Sequence, residues 1–364
     1  VGWLSTVLLC IVRMLQGASV GGQLPASLVF TLEGRSDNGD GGGGRRWGLY
    51  GSFVLVAANV GTVLGNVVGA TMREVLTEEE LYVWGWRLPF LSGILIAGVA
   101  VYLKYNAEEI VPSGESDSES EVEVEGVVTR RVTRNPIKVA FSTKQNRRAL
   151  LSVMLVSMIW GSGFYVTFVW MAMYMHRLIP NPIPNAFWIN ALTLSLGIIL
   201  ALPLFGHVSD ETGRKPIMII GACTVAAAGP LGVFVISTGN PVTAFFAQWF
   251  IGIGLSIYAG PMLAWIAESF PPEVRLTSAS LGYDLAHATV AGFSPAVATL
   301  LVDRIGVLSP AVFYPFFATL SMIGLCIAPQ MNHSQDGNCS TMPVEQGGKN
   351  VQNDDSIIEM RTVS

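Results

Sequence analysis

The feature that most constrains this chain is a series of long apolar runs that contain no charged residue. Between Lys215 and Glu268 there is no Lys, Arg, Asp or Glu, and only the polar turn at 237–241 interrupts the run. A helix that crosses a bilayer needs about 20 apolar residues, so this stretch has room for two crossings. Because lipid offers no hydrogen-bond partners, a backbone that crosses it must be helical or form a closed barrel. The runs lack the alternating pattern of barrel strands, so they predict membrane-spanning helices.

Similar runs occur along most of the chain, and each predicts one span. They cover residues 2–30, 49–72, 87–104, 149–174, 186–206, 216–236, 243–266, 278–302 and 311–331. Hydrophobic residues make up 51% of the chain and charged residues 13%, whereas about a quarter of the residues in soluble domains are charged. So few charges cannot cover a water-facing surface, and lipid is expected to cover much of the protein. The predicted fold class is an all-α membrane protein with nine transmembrane helices.

Small residues recur at four-residue spacing in two of these runs, which predicts closely packed helices. They are Gly61, Gly65 and Gly69 in one run, and Gly252, Ser256 and Gly260 in another.

The distribution of Lys and Arg predicts the orientation. If the loop at 33–48 is cytoplasmic, alternate loops place sixteen of the 21 Lys and Arg residues inside and four outside, with Arg13 within a span. Cytoplasmic loops carry an excess of these residues. The linker and the C-terminal tail are therefore expected in the cytoplasm, and a plasma membrane is favoured over an organelle membrane.

Polar segments divide the chain into four parts. Residues 1–105 carry three spans, 106–148 form an acidic then basic linker, 149–331 carry six spans, and 332–364 form a polar tail expected to be disordered. Many transporters consist of two repeated six-helix halves joined by such a linker. The three-plus-six arrangement predicts that the first three helices of a twelve-helix protein precede Val1.

Four short motifs resemble those of a known family. Residues 206–215 read GHVSDETGRK, which resembles the G-x-x-x-D-x-x-G-R-K signature of the major facilitator superfamily. Residues 13–22 (RMLQGASVGG), 85–90 (GWRLPF) and 268–275 (ESFPPEVR) resemble motifs of its metabolite–proton symporter branch. The resemblance implies a bundle of two six-helix halves that carries a small polar metabolite, an organic acid or a zwitterion, together with protons. The branch usually has an acidic residue where this chain has Gln23.

Several residues within the spans are candidates for solute binding or proton coupling. Arg13 is a cation in an apolar run, so it could bind a solute carboxylate or a structural partner. Asp284 and His287 share a helical face and could carry a proton, or could instead form a structural hydrogen bond. The remaining candidates could line the solute cavity or serve in packing: Gln23, Tyr165, Asn190 and Tyr258, with Trp170 and Tyr174.

The signature loop predicts a cytoplasmic gate. A carboxylate that faces a helix N-terminus is stabilised by the helix dipole. In the family this loop holds the two halves together on the cytoplasmic side, which implies that Asp210 lies near the start of the span that begins at about 47–51. The alternative is that these charges only set the topology. The residues assigned to the gate are Gly206, Asp210, Gly213, Arg214, Lys215, Glu268 and Arg275.

Other functions find no support in the sequence. The glycines at 41–44 lack the G-K-[ST] of a phosphate-binding loop, the histidines lack metal-ligand spacing, and no nucleophile–base pair stands out. We therefore expect no enzyme activity, no cofactor, no metal and no nucleic-acid partner. The expected partners are a solute, protons and the bilayer, with the protein as a monomer. Two alternatives stay open, a uniporter and a transporter-like sensor or scaffold that does not transport.

Overall fold

The computed structural model describes residues 3–20, 22–33, 46–91, 93–106, 122–124, 127–129, 141, 143–270 and 272–329. The predicted tail, the glycines at 41–44 and most of the predicted linker lie outside these described residues. Structural statements below apply to the described residues.

The first part of the chain is helical. Its elements are α1 (Trp3–Val20), α2 (Gln23–Glu33), α3 (Trp47–Val75), α4 (Glu78–Val83), α5 (Leu88–Leu91) and α6 (Gly93–Asn106), with a 3-10 turn at Gly85–Arg87. At 1.5 Å per residue, α3 is about 44 Å long and can reach from one side of a bilayer to the other.

The second part is a larger set of helices. It consists of α7 (Lys144–Leu178), α8 (Ala186–Thr212), α9 (Arg214–Ser237), α10 (Pro241–Glu268), α11 (Pro272–Ala286), α12 (Ser294–Arg304) and α13 (Phe313–Ile327). Within the linker, two short strands pair antiparallel, β1 (Val122–Val124) and β2 (Val127–Thr129). Both strands are rich in valine, whose branched side chain favours extended backbone.

Seven helices in the described residues are long and apolar enough to cross a membrane. They are α3, α7, α8, α9, α10, the continuous stretch Arg275–Arg304 and the stretch Ser309–Ile327. The predicted span at 2–30 contains two helices, and Gly22 precedes the second with a φ of 79°. The predicted span at 87–104 contains the shorter α5 and α6. The count of nine spans stays a prediction.

Four π-helical segments interrupt the helices of the second part. They are Tyr165–Trp170, Tyr174–Leu178, Ser195–Ile199 and His287–Ala291. A π segment disturbs the regular hydrogen-bond ladder and releases backbone carbonyls. Three of these carbonyls accept bonds from side chains on neighbouring helices: Gly197 from Ser256 at 2.8 Å, Thr167 from Gln248 at 2.7 Å and Phe168 from Asn190 at 2.8 Å. The released carbonyls thus satisfy polar side chains inside an apolar bundle.

The core of the bundle is formed by paired helices. α9 packs along α10, and α13 packs along α7. Tyr314 of α13 donates to or accepts from Thr167 of α7 at 2.9 Å, deep in this core. α3 lies against both α8 and α10, so it joins the first part of the chain to the second.

The two predicted glycine stripes behave differently. On α10, Gly260 approaches the backbone of α8 so closely that an added Cβ would lie 2.7 Å from the Gly206 nitrogen. On α3, an added Cβ at Gly61, Gly65 or Gly69 would meet no described atom within 4 Å. The prediction of close packing is confirmed for Gly260, whereas the α3 stripe contacts no described helix.

This contrast gives a first testable prediction. Gly260→Ala is expected to push α8 and α10 apart and to cost about 1–3 kcal/mol of stability. Gly65→Ala is the matched control, because it adds the same methyl group to a helix where nothing stands in its way. Thermal unfolding in lipid nanodiscs should show a lower midpoint for Gly260→Ala alone. Equal midpoints for both variants would contradict the close packing of α10 on α8.

Candidate functional site

One end of the bundle carries residues 206–215, and we call it the signature end. Here the Asp210 carboxylate of α8 accepts hydrogen bonds from the backbone nitrogens of Gly48, at 2.8 Å, and Leu49, at 3.0 Å. These are among the first N–H groups of α3, which have no partner within their own helix. Arg46, at the N-cap of α3, supplies no side-chain cap. A carboxylate from the second part of the chain therefore caps α3, and the predicted position of Asp210 is confirmed.

Arg214 connects this cap to a second carboxylate. Its Nη1 lies 2.5 Å from the Asp210 Oδ1, and its Nη2 lies 3.1 Å from the Glu268 Oε1. Nη1 also donates to the Ser209 hydroxyl at 3.0 Å. The side chains of Asp210 and Arg214 are only 7% and 13% exposed, so water screens their attraction weakly. The cluster links α8, α9 and α10 to the start of α3.

Glycines permit this arrangement. Gly206 lies one turn before Asp210, and an added Cβ there would be 2.6 Å from the Gly48 carbonyl oxygen. Any side chain at Gly206 would separate α8 from α3 and move Asp210 away from its partners. Gly213 lies between α8 and α9 with a φ of 94°, a conformation that strains other residues. The spacing of the signature therefore has a local physical reason at each glycine.

Arg275 and Lys215 complete the predicted gate residues. The Arg275 guanidinium lies 5.4 Å from the centre of the Trp47 ring, and its Nε donates to the Ala267 carbonyl at 2.9 Å. It thus joins α11 to both the end of α10 and the start of α3. Lys215 is half-buried and makes no ion pair within 4.0 Å to any described residue.

Between the two ends of the bundle, the amide side chains of Asn66, Asn190 and Gln248 form a hydrogen-bonded chain. The fully buried Asn190 of α8 donates to the Phe168 carbonyl at 2.8 Å and to the Asn66 side chain of α3 at 3.3 Å. Gln248 of α10 donates to the Asn190 Oδ1 at 2.5 Å. The Gln248 Oε1 is buried and accepts no hydrogen bond from the described residues. Asn190 therefore lies at the contact between α3 and the second part, where Gln248 orients it.

Sequence reasoning missed Gln248 and Asn66. Gln248 is a strongly polar side chain in the run without charges between Lys215 and Glu268. That isolation could have marked it, because a buried polar group inside a membrane protein needs a partner.

The aromatic candidates take different positions. Tyr258 is fully buried, and its hydroxyl donates to the Val156 carbonyl at 2.8 Å. Trp170 donates to the Thr299 hydroxyl at 2.8 Å, and Tyr174 donates to the Val307 carbonyl at 2.8 Å. These contacts correspond to the packing alternative. Tyr165 is 36% exposed and lies at the start of a π segment.

Asp284 and His287 do not form an ion pair with each other. The Asp284 carboxylate is half-buried and has the backbone N–H of Gly22, just before α2, as a hydrogen-bond partner. His287 shares a hydrogen bond of 2.9 Å with the Tyr283 carbonyl and stacks on the Tyr283 ring at 3.9 Å. Asp284 thus contacts the first part of the chain, whereas His287 is held within its own helix.

The two candidates near the start of the chain are less well placed. Gln23 is exposed at the first position of α2, and its carbonyl accepts from Ser27 at 2.8 Å. The Arg13 side chain lies outside the described residues, so its predicted role as a carboxylate clamp stays a prediction.

The opposite end of the bundle carries a cavity. Its volume is about 850 Å³, and it is lined by α3 and α4 from the first part and by α7 and α8 from the second. The Trp188 indole donates to the Glu74 carboxylate at 2.5 Å across the two parts. In α4, the N–H and hydroxyl of Thr77 donate to Glu80 at 2.9 Å, and the Thr77 N–H, more than the hydroxyl, holds the pKa of the Glu80 carboxyl below its usual value. This cap of α4 therefore persists at neutral pH and is lost only in acid.

Comparison with known proteins adds independent findings. Residues 184–338 match the sequence pattern of the Major Facilitator Superfamily. The chain is 25% identical over 330 residues to a proline/betaine transporter of Salmonella typhimurium, which covers 89% of the chain and 62% of that relative. It is 25% identical to an inner membrane metabolite transport protein of Escherichia coli, over 92% of the chain and 72% of the relative. It is 24% identical to a citrate-proton symporter of Klebsiella pneumoniae, over 90% of the chain and 69% of the relative. The chain thus spans less than two thirds of the proline/betaine transporter.

Proposed function

We propose that the chain is a secondary active transporter of the major facilitator superfamily, because residues 184–338 match the pattern of that family and the relatives that align with most of the chain are transporters. In this proposal it carries a small polar metabolite, an organic acid or a zwitterion, together with protons. The two parts of the chain rock around a central path, so that each end opens in turn. The relatives are transporters rather than enzymes, in agreement with the lack of a catalytic constellation in the sequence.

The asymmetry between the two ends is the observation that carries the proposal. At the signature end, Asp210 caps α3 and Arg214 ties the cap to Glu268. At the opposite end, the same helix α3 borders a cavity of about 850 Å³. Alternating access requires, at one stage of its cycle, one end that is held closed and another that solute can enter, and these two ends differ in that way. α3 runs between them, so a loss of the cap would let it tilt.

We assign the signature end to the cytoplasm and the cavity to the outer face. The bias of Lys and Arg towards the loops on the signature side supports this orientation. The arrangement then corresponds to an outward-facing state. The nine spans, the cytoplasmic linker and tail, and residence in a plasma membrane belong to the same proposal.

Uptake by reconstituted protein tests the proposal. The protein in liposomes is expected to accumulate at least one of citrate, proline and betaine, the solutes in the names of the relatives, when the outside is more acidic. A protonophore should abolish accumulation and leave equilibration intact. Equilibration that ignores the proton gradient would instead indicate a uniporter. No movement of these solutes or of a wider panel of organic acids and zwitterions would favour the sensor or scaffold and contradict transport.

A further inference from the structure

The cavity at the end opposite the signature carries a surplus of positive charge. Its charged lining consists of Arg73, Glu74, Glu78, Arg87 and Arg177, with His176 as a further titratable group. Glu74 accepts the hydrogen bond from the Trp188 indole, so one of the two acids already has a partner from the opposite wall. The arginines outnumber the acids even with a neutral histidine. This surplus occurs on the side of the protein that has few Lys and Arg residues.

Two of these arginines line the cavity from different parts of the chain. Arg73 lies near the end of α3, and Arg177 lies in the last π segment of α7. Like charges repel each other, and Glu78 is the acid that lines the same cavity without a hydrogen bond to a described residue of its opposite wall. Among the described residues, neither guanidinium has an ion-pair partner within 4.0 Å. Two like charges held together without a paired anion make a place where an anion is stabilised.

Aromatic rings hold two guanidinium groups by their flat faces. The Arg73 guanidinium lies 4.3 Å from the centre of the Phe187 ring, and that of Arg87 lies 4.4 Å from the centre of the Trp86 ring. Such stacking uses the face of the guanidinium and leaves the N–H groups at its edge for other partners. Nη1 of Arg87 already donates to the Val83 carbonyl, whereas Arg73 has no such bond among the described residues. Those N–H groups match the two oxygens of a carboxylate. Stacking also limits side-chain freedom, so less entropy is lost when a ligand binds.

We infer that this cavity binds the carboxylate group of an anionic or zwitterionic solute between Arg73 and Arg177. The inference rests on the proposed function, since it names the chemical class of the solute at the outer mouth of that transporter. A bound carboxylate would bridge α3 and α7, and the attraction would also raise the local concentration of anionic solute. Solutes without a carboxylate would gain nothing at this site.

Ligand-dependent thermal unfolding in nanodiscs tests the inference, with succinate as the probe. Sodium chloride keeps the ionic strength constant, which separates carboxylate binding from general screening. Dimethyl succinate has the same carbon skeleton without the charge. Succinate is expected to raise the unfolding midpoint of the parent protein, because a ligand that binds only the folded state stabilises it. Dimethyl succinate is expected to have no effect.

The variants Arg73→Gln and Arg177→Gln are expected to weaken succinate binding at least tenfold. Arg304→Gln is the matched control, because it removes the same charge from an exposed arginine at the end of α12. Arg304 is not among the residues that line the cavity. Arg177→Lys should retain part of the binding, since it keeps the charge but loses the planar group. An unchanged succinate response in Arg177→Gln, an equal response to the dimethyl ester, or no response of the parent would overturn the inference.

Uptake by the same preparations separates this inference from the proposed function. Succinate stabilisation that depends on Arg73 and Arg177, without uptake of any solute, would contradict transport but leave the carboxylate site in place. Uptake by a parent protein whose succinate response is absent or independent of the arginines would contradict only the site.

Discussion

Replacing Asp210 by asparagine is expected to open the signature end of the protein. The two carboxylate oxygens of Asp210 accept from Gly48, Leu49 and Arg214. Asparagine has one acceptor oxygen, and its amide group would direct N–H donors at a backbone N–H or at a guanidinium. Breaking a shielded ion pair costs about 3 kcal/mol or more. If that cost falls on the closed state alone, the equilibrium shifts towards the open state by roughly a hundredfold.

A buried cysteine reports on this opening. The four natural cysteines, Cys10, Cys223, Cys326 and Cys339, would first be replaced by alanine. Ser52 of α3 is fully buried next to Gly206 of α8. A Ser52→Cys reporter should therefore react slowly with maleimide while the signature end is closed. In the Asp210→Asn background the reaction should be much faster.

The neighbouring carboxylate provides the control. Glu211 is one residue away, its side chain is 74% exposed, and its Oε1 lies 3.7 Å from the Nε2 of His207. Glu211→Gln removes the same charge from the same helix and should leave the labelling rate unchanged. If Asp210→Asn and Glu211→Gln label at the parent rate, Asp210 does not hold this end closed.

The position of Asp210 could be predicted because several levels of information agree there. The G-x-x-x-D-x-x-G-R-K spacing, the flanking apolar runs and the repeat of the two halves all point to the start of α3. The presence of the long helices could also be predicted from the sequence, since a long uncharged run in a membrane has few alternatives to a helix. In this chain the seven longest apolar helices all correspond to predicted runs.

The amide chain shows what the sequence could not reveal. Asn66, Asn190 and Gln248 are 58 or more positions apart, and their contacts depend on how α3, α8 and α10 pack. The backbone carbonyls that Asn190 and Gln248 use lie in a π segment of α7, and such a segment has no clear sequence signal. The glycine stripe of α3 failed for the same reason: a small-residue pattern indicates that a helix can pack closely, but not which partner it meets.

The arginines of the cavity were also hidden in the sequence. Arg73, Arg87 and Arg177 each appear as single charges at the ends of different apolar runs, which is an ordinary feature of membrane proteins. Only the fold brings them to one cavity, where Phe187 and Trp86 support their guanidinium groups. By contrast, Arg13 stood out in the sequence because it lies inside a run. Position within a span therefore did not mark the arginines that line this cavity.

Substitution of Asp284 is the second change for which we expect a large effect. A single carboxylate at this position can link proton movement to rearrangement of the protein. It is half-buried on α11, and its partner is the Gly22 N–H at the start of α2. An ionised carboxylate is the stronger acceptor for an N–H at a helix N-terminus, whereas a protonated one is weaker. We propose that protonation loosens the contact between α11 and α2, and that release of the proton restores it. This contact joins the two parts of the chain, so the proton would act on their relative movement.

Asp284→Asn separates coupling from structure. Asparagine keeps an oxygen that can accept from Gly22, but it cannot ionise. Accumulation driven by a proton gradient is therefore expected to be lost, while exchange of labelled for unlabelled solute across the liposome membrane stays within a few-fold of the parent. With one proton per solute, a gradient of one pH unit would support about tenfold accumulation by the parent protein. Asp303→Asn is the matched control, because Asp303 is exposed near the end of α12 and its loss should change neither measurement.

The combination of the two transport measurements decides the role of Asp284. Lost accumulation with retained exchange is the result expected of a coupling residue. Loss of both would indicate that the contact with Gly22 is needed for the structure, which the unfolding midpoint of the variant would show as a decrease. Normal accumulation with the parent pH dependence would make Asp284 a structural hydrogen-bonding residue. In that case His287 could not take over through Asp284, since its ring bonds to and stacks on Tyr283 instead, and the proton would have to be carried elsewhere in the protein.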